Sequence, residues 1–388
     1  MAGSPAMAAI PAQPGNEPAQ SAQPGSEPTQ SAQPGEPAQS AQPGREPAQP
    51  AQDPKAEPAQ PRERAAGKNG GAPRPDLTAK DVLRTYLAAQ SSAFLGQFPR
   101  LRDAQPEASH RIRVACRRAR SMLRTFRPLL DPAWADGLAE DIAQFTDTVG
   151  PERDLEVMRD RLGLALEALE GEIPGTARAR TLLDRLVHRE YAAAHEATLA
   201  ALAGPKFHAL ADRFALAPQA LPFSPDADPD APAGATLYPL VTQSFSTVER
   251  RASKLPDVRD HNPRDARAAL KAAGGDEQTD EMWHRLRIAA KRCRYAAEVC
   301  IPAAGADASG FARQMTEVTE QLGSQQDAIV ASALLLRAAR TPRIAAPTGF
   351  VLGRLLGDCR VEVLRSRLAF PALWSQVADS GYRAWLEQ

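Results

Sequence analysis

Several features that mark enzymes, secreted domains and membrane proteins are scarce in this chain. Aromatic residues make up 5% of it, and none is interleaved on its basic stretches as a stacking platform for nucleic-acid bases. Four cysteines stand without paired spacing, which argues against a disulfide framework. No stretch approaches the roughly 18 consecutive apolar residues of a membrane helix. The N-terminal Met1-Ala-Gly-Ser-Pro has no basic residue ahead of an apolar core, so a cytoplasmic protein is expected. Net charge is zero, with 47 basic residues against 47 acidic ones. A generally basic nucleic-acid coat is excluded, and whatever positive charge matters must be local. There is no alternating strand pattern of useful length, no Walker A loop, no Gly-x-Ser-x-Gly and no carboxylate cluster to hold Mg²⁺. Asp154 and Asp327 are single carboxylates, expected to cap helices or to orient arginines. Neither catalysis nor a cofactor nor a metal is expected.

Residues 1–75 form a low-complexity tail. Glu17-Pro-Ala-Gln-Ser-Ala-Gln-Pro-Gly recurs from Glu27, Glu36 and Glu46 and decays near Glu57. Its apolar content is almost entirely Ala and Pro, which cannot offset the chain entropy lost on folding. An extended, partly polyproline II segment is expected. From residue 76 onward the pattern is helical, and the fold class expected is all-α. The boundaries expected are a first half at 76–217, a Pro/Asp/Ala-rich linker at 218–234 and a second half at 235–388. Periodicity predicts helices from Thr78 to about Gln97, along the basic stretch to Pro128, then Trp134–Thr148, Asp154–Glu170, Thr176–Ala203 and Lys206–Phe214. The second half predicts Ala235–Leu255, a short piece near Asp265, a second basic helix, Asp307–Leu322, Asp327–Arg340 and Thr348–Leu368.

What the chain does have is a basic stretch that occurs twice. The first copy runs from His110 to Arg124, the second from Trp283 to Tyr295. Aligning His110 with His284 puts Arg113 on Arg287, Arg117 on Lys291 and Arg118 on Arg292. At about 100° per residue, His110, Arg113, Arg117, Arg120 and Arg124 share one arc, with Ile112, Ala115, Ala119 and Leu123 opposite. His284, Arg287, Lys291 and Arg294 form the matching arc, with Leu286, Ala289, Cys293 and Ala297 opposite. Cys116 and Cys293 lie on the apolar sides and read as core residues. Between Arg100 and Arg127 nine arginines meet only Asp103 and Glu107. Gly150-Pro-Glu-Arg153-Asp154 matches Gly323-Ser-Gln-Gln326-Asp327, each read as a turn before a helix. The offset is 173 residues here and 174 at the histidines, which supports a duplication.

A face of one sign repels itself unless acids from elsewhere, or a polyanion, sit against it. Guanidinium groups one helical turn apart, facing their copy, would line a trough for a linear phosphate polymer. The competing reading is an ion-pair network with acids of adjoining helices. Metal binding at His110 and His284 lacks a third ligand, and the surrounding arginines repel a cation. A phosphate hydrogen bond or a helix-start contact suits these histidines better. His188, His195, His208 and His261 show no ligand spacing and read as surface or interface residues.

The order His110, Arg113-Val114, Arg117-Arg118, Arg120 resembles the opening signature of the CHAD domain family. His284, Arg287-Ile288, Lys291-Arg292, Arg294-Tyr295 resembles its second signature. The resemblance covers about residues 78–388. It implies an all-helical domain of two related helical bundles around a basic central channel that binds inorganic polyphosphate. It carries His110, Arg113, Arg117, Arg118, Arg120, His284, Arg287, Lys291, Arg292 and Arg294 into that role. Arg250, Arg251 and Lys254 match less closely, and Arg124 joins by its place on the arc. The Glu-x-Glu-x-Lys motif of the CYTH triphosphatase domains often fused to this family is absent, so a standalone domain on polyphosphate granules is expected. Gln326 departs from the pattern where the first half has Arg153. RNA or DNA phosphate is the alternative ligand, and a metal-binding or phosphohydrolase-accessory role the weaker one.

Overall fold

A computed structural model describes residues 73–102, 108–256, 274–378 and 381–387. The repeat tail up to residue 72, His261 and the short piece expected near Asp265 lie outside the described residues. Every regular element among the described residues is a helix. Helix α1 (Ala79–Leu95) starts on a capping box: Asp81 N–H donates to Thr78 Oγ1 at 3.1 Å, and Thr78 N–H donates back to the Asp81 carboxylate at 3.3 Å. After α2 (Phe98–Arg102) comes the first basic helix, α3 (Ala108–Thr125), and Pro128 sits in the 3₁₀ turn that follows it. Helix α4 (Pro132–Glu167) begins with proline at its first position and Asp131 as N-cap. Helices α5 (Thr176–Ala203), α6 (Pro205–Leu216) and α7 (Ala233–Ala252) lead to the second basic helix, α8 (Glu277–Ala304). Helices α9 (Ala306–Ala339) and α10 (Ala346–Ala378) follow.

The Pro-rich segment before α7 is stitched to the start of α1. Ala79 N–H donates to Ala231 O at 3.1 Å, Lys80 N–H to Pro229 O at 2.9 Å and Ala233 N–H to Leu77 O at 2.9 Å. The isolated β-bridge Thr78–Pro232 belongs to the same stitching, and a second, Leu130–Phe223, ties the segment to the residues before α4.

The structure corrects one expectation from local propensity. Gly150-Pro151 and Gly323 are not turns. Helix α4 runs unbroken through the first, and α9 through the second. Pro151 inside a helix costs about 3 kcal/mol and Gly323 about 1 kcal/mol. Beyond the break, α4 buries Met158, Leu162 and Leu166, and α9 buries Ala328, Ala331, Leu334 and Leu335. At roughly 1.5–3 kcal/mol for each large apolar side chain, this burial outweighs the breakers.

Continuity matters because the long helices pass from one hydrophobic core to another. The first core takes Val82, Ile112, Leu123, Ile142, Val149, Val241, Leu286, Phe311 and Leu322. The second takes Met158, Leu162, Leu183, Ala328, Leu335, Val351 and Leu355. On α4 the changeover falls between Val149 and Met158, and on α9 between Leu322 and Ala328. Each core therefore draws on both sides of the 218–234 linker. The two glycines stand where the cores part.

Candidate phosphate-binding site

The basic helices meet at this parting. Helix α3 packs on α4 and on α8, and α8 packs on α9. The contacts between α3 and α8 run antiparallel: Arg117 reaches Tyr295, and Arg124 shares a pocket with Ile288 and Arg292. The sequence-predicted residues fall into three groups.

The first group lies at the seam between the cores. Arg113 Nη1 donates to the Gly150 carbonyl at 2.8 Å, and Nη2 to Asp154 Oδ1 at 3.1 Å. Its counterpart Arg287 lies over Gly323, where a Cβ would stand 3.7 Å from Nη2. With no side chain on either glycine, each guanidinium rests directly on helix backbone. Arg117 Nε donates to Tyr295 Oη at 3.0 Å. Lys291 completes the group. Burial, then the charges of Arg287, Arg117 and Arg294, push its ammonium down from 10.5 to about 7, against the pull of Asp327. Burial also lowers Arg287, helped by Arg117 and opposed by Asp327. Burial raises the Asp327 carboxyl, against Arg287, Arg161 and Lys291. Four cations from two helices thus crowd one place, and two carboxylates, Asp154 and Asp327, offset them in part.

The second group is held shut. Arg118 Nε and Arg294 Nε lie 3.1 Å from opposite oxygens of Glu298. The Tyr295 ring packs between them, with Arg294 Cζ 4.9 Å and Arg118 Cζ 6.0 Å from its centroid. Arg294 also donates to Thr319 Oγ1 at 3.3 Å. Arg294 is 7% exposed, although helical spacing places it on the open basic arc. It lies about 60° around the helix from Lys291, and Glu298 four residues on draws it inward.

The third group sits farther along α3. Loss of solvent lowers the Arg292 guanidinium, and the charges of Arg124, Arg251 and Arg120 lower it further. Arg292 nonetheless remains an exposed residue. Arg120 is lowered by burial and by Arg124. Arg124, Arg251 and Arg292 line an open pocket of about 290 Å³ with Gln243, Ser244 and Thr247 of α7. Arg250 and Lys254 are exposed at the end of α7 and do not line it.

The two motif histidines sit differently: His110 lies in the first turn of α3, whereas His284 lies two turns into α8, which overturns a helix-start role for it. His284 Nδ1 lies 3.1 Å from Gln326 Oε1, so the residue that departs from the repeat positions a histidine. Its counterpart Arg153 pairs with Glu156 at 2.8 Å. His110 is half-buried in the first turn of α3. His195 Nδ1 lies 2.7 Å from buried Glu152 and stacks on Tyr191. Cys116 and Cys293 are both fully buried in the first core. Among the described residues no group of three His, Cys, Asp or Glu side chains is placed to hold a metal ion, and no helix is long and apolar enough to cross a membrane. Sequence reading missed Glu298 and the α7 side chains. Glu298 had a local signal, the i,i+4 spacing from Arg294; Gln243, Ser244 and Thr247 had none.

Comparison with known proteins fits this geometry. A family model described as the CHAD domain matches residues 85–336. The chain belongs to the CHAD domain family. The structure of PptA from Streptomyces chartreusis is 31% identical, with a TM-score of 0.64 over 77% of this chain and all of that one. The crystal structure of the CHAD domain from the plant Ricinus communis shares the fold at 22% identity, with a TM-score of 0.55 over 80% of this chain and 96% of that one. Uncharacterized protein Rv2226 of Mycobacterium tuberculosis is 29% identical over 255 residues, 64% of this chain. The chain spans 44% of that relative's length. The CHAD match covers α3, α4, α8 and nearly all of α9, and so both copies of the basic stretch and both glycine seats.

Proposed function

We propose that this CHAD domain binds inorganic polyphosphate along the α3–α8 seam, without catalysing its cleavage, and that binding takes it to polyphosphate granules. The observation that carries the reading is the seam itself. Arg113, Arg117, Arg287 and Lys291 gather from two helices until Lys291 is driven to about 7. Such crowding costs folding free energy and is relieved by a ligand with regularly spaced negative charge. The family is in general one of polyphosphate-binding, non-catalytic domains, which supports the same ligand. The internal repeat supports a duplicated origin, each copy supplying one wall of a basic channel.

A nucleic acid offers phosphate as well, but the seam offers nothing for its bases. The aromatic group there, Tyr295, is 2% exposed and wedged between Arg118 and Arg294. No ring face is left for stacking on that residue. The test is a titration of the full chain with polyphosphate, RNA and DNA at several salt concentrations. The expected result is tightest binding of polyphosphate per phosphate, with log affinity falling linearly in log salt. RNA displacing polyphosphate at equal phosphate concentration would overturn the assignment.

A further inference from the structure

The pocket beyond Arg120 differs from the seam in its chemistry. Three arginines reach it from three helices: Arg124 from α3, Arg251 from α7 and Arg292 from α8. None of its lining residues is acidic, whereas at the seam Asp154 holds Arg113 and Asp327 offsets Arg287 and Lys291. Arg251 is itself anchored, donating to the Arg285 carbonyl within α8. Along the α7 wall, Thr247 Oγ1 already donates to the Gln243 carbonyl at 3.1 Å. The exposed Gln243 amide adds a neutral donor on this wall. The rest of the lining is Leu240, Ile288, Ala289, Thr125 and Ser244, which offer no further cation.

Arg113, Arg117, Arg120 and Arg124 follow one another along α3 over about 16 Å of helix. A phosphate chain laid along them from the seam reaches this pocket last. Internal units of such a chain carry about one negative charge each. A terminal phosphoryl group carries between one and two near neutral pH, its second ionisation lying near 6, and has one more non-bridging oxygen. A terminal group therefore suits a site where three guanidiniums meet, no lining residue is acidic and an amide donor is added. The apolar wall gives a continuing chain nothing to bind.

We propose that this pocket takes a terminal phosphoryl group, so that the protein holds a polyphosphate chain by its end. The inference rests on the polyphosphate reading and narrows it to one mode. The same chemistry is offered by free pyrophosphate, and the test separates the two sources.

The full chain is titrated with three probes: polyphosphate of one defined length with free ends, the same polymer with both ends blocked as phosphoramidates, and pyrophosphate. Blocking the ends is expected to weaken binding by at least about tenfold, and pyrophosphate to bind more weakly than the free-ended polymer, since it cannot also occupy the seam. Gln243→Leu, an exposed change, is expected to weaken binding of the free-ended polymer more than that of the blocked polymer and so to reduce the difference between them. Equal affinity for free and blocked polymer would overturn end-binding and leave the polyphosphate reading intact. Pyrophosphate binding as tightly as the free-ended polymer would overturn the chain end as the pocket's ligand. Failure of all three probes to bind would overturn the polyphosphate reading itself.

Discussion

On α3, Arg113 is met by the Gly150 carbonyl and by Asp154, and Arg117 by the Tyr295 hydroxyl. On α8, the matching Arg287 has a buried Nε without a hydrogen-bond partner among the described residues, and the matching Lys291 is pushed down by burial and then by its cationic neighbours. The same sequence pattern therefore yields one braced row and one strained row. Braced arginines are positioned before any ligand arrives, which limits the side-chain entropy lost on binding. The strained row stores like-charge repulsion that a polyanion relieves. Glu298 sharpens the contrast from the other side. It removes Arg118 from α3 and Arg294 from α8 together, so neither row presents all the cations its sequence contains.

The largest expected effect comes from reversing a charge in the braced row. Arg117→Glu should weaken polyphosphate binding at least about a hundredfold, roughly 2.7 kcal/mol. It should leave the melting temperature unchanged or raise it, because the new carboxylate faces Arg287 and Lys291. The salt dependence of log affinity should also become shallower, since the slope scales with the phosphates neutralised. Calorimetric titration and thermal melting of one variant check all three outcomes. A lower melting temperature with binding lost only through unfolding would restore the ion-pair reading of this face.

Arg294→Met should do the reverse. Removing one partner of a buried pair leaves Glu298 short of a counter-charge, at a cost of about 3 kcal/mol of stability. Binding measured well below the melting temperature should change less than threefold. Urea unfolding with and without polyphosphate checks this, and a hundredfold loss of affinity in a stable Arg294→Met protein would move Arg294 back into the site.

The contrast between these two variants marks what could be read from sequence. The helices, their apolar stripes and the two basic arcs follow from 3.6-residue periodicity, which is local. Arg294 was placed on the open arc because an arc counts angle and not neighbours. Glu298 stands one turn after it, so half of the lock was visible; the other half, Arg118, comes from α3 on the far side of the linker. Gly150-Pro151 read as a break for the same reason. Propensity weighs the cost of proline in a helix, while the benefit, the second core around Met158 and Leu162, depends on α5, α9 and α10. The pocket at Gln243 was illegible, because nothing local distinguishes a polar α7 residue facing solvent from one facing three arginines.

A smaller effect, tied to the strained row, comes from pH. Lys291 titrates near 7 in the folded chain. Below about 7 it is charged in the folded and unfolded states alike, and its full repulsive cost is present. Between about 7 and 10.5 the unfolded chain binds a proton that the folded chain does not, so stability rises with pH through that window. Polyphosphate favours the charged form, so binding above pH 7 should take up as much as one proton. Affinity should fall by up to about tenfold per pH unit there. Lys291→Arg cannot deprotonate in this range and should flatten the profile. Calorimetry in buffers of different ionisation enthalpy counts the protons, and a wild-type profile as flat as that of Lys291→Arg would show that Lys291 lies outside the bound state.

The smallest expected effect separates the two glycine seats. Gly323 lies mid-helix in α9, and an added Cβ would make ordinary contact with Arg287, 3.7 Å from Nη2 and 3.8 Å from Nε. Gly323→Ala should stabilise the protein by about 0.5–1 kcal/mol, the backbone entropy that glycine forfeits in a helix. Gly150 offers nearly the same room, 3.5 Å to Arg113 Nη2. It precedes Pro151, however, and a Cβ before proline clashes with the ring when the backbone is helical. That clash opposes the entropy gain, so Gly150→Ala should be neutral or destabilising. It should also displace Arg113 from the Gly150 carbonyl and cost a few-fold in affinity, whereas Gly323→Ala should leave affinity within twofold. Paired melting and titration experiments decide it. A destabilising Gly323→Ala would mean that Arg287 needs the whole seat and that the two rows are braced more alike than their hydrogen bonds indicate. If Gly150→Ala stabilised as much as Gly323→Ala, proline strain would not be the feature that distinguishes α4 from α9.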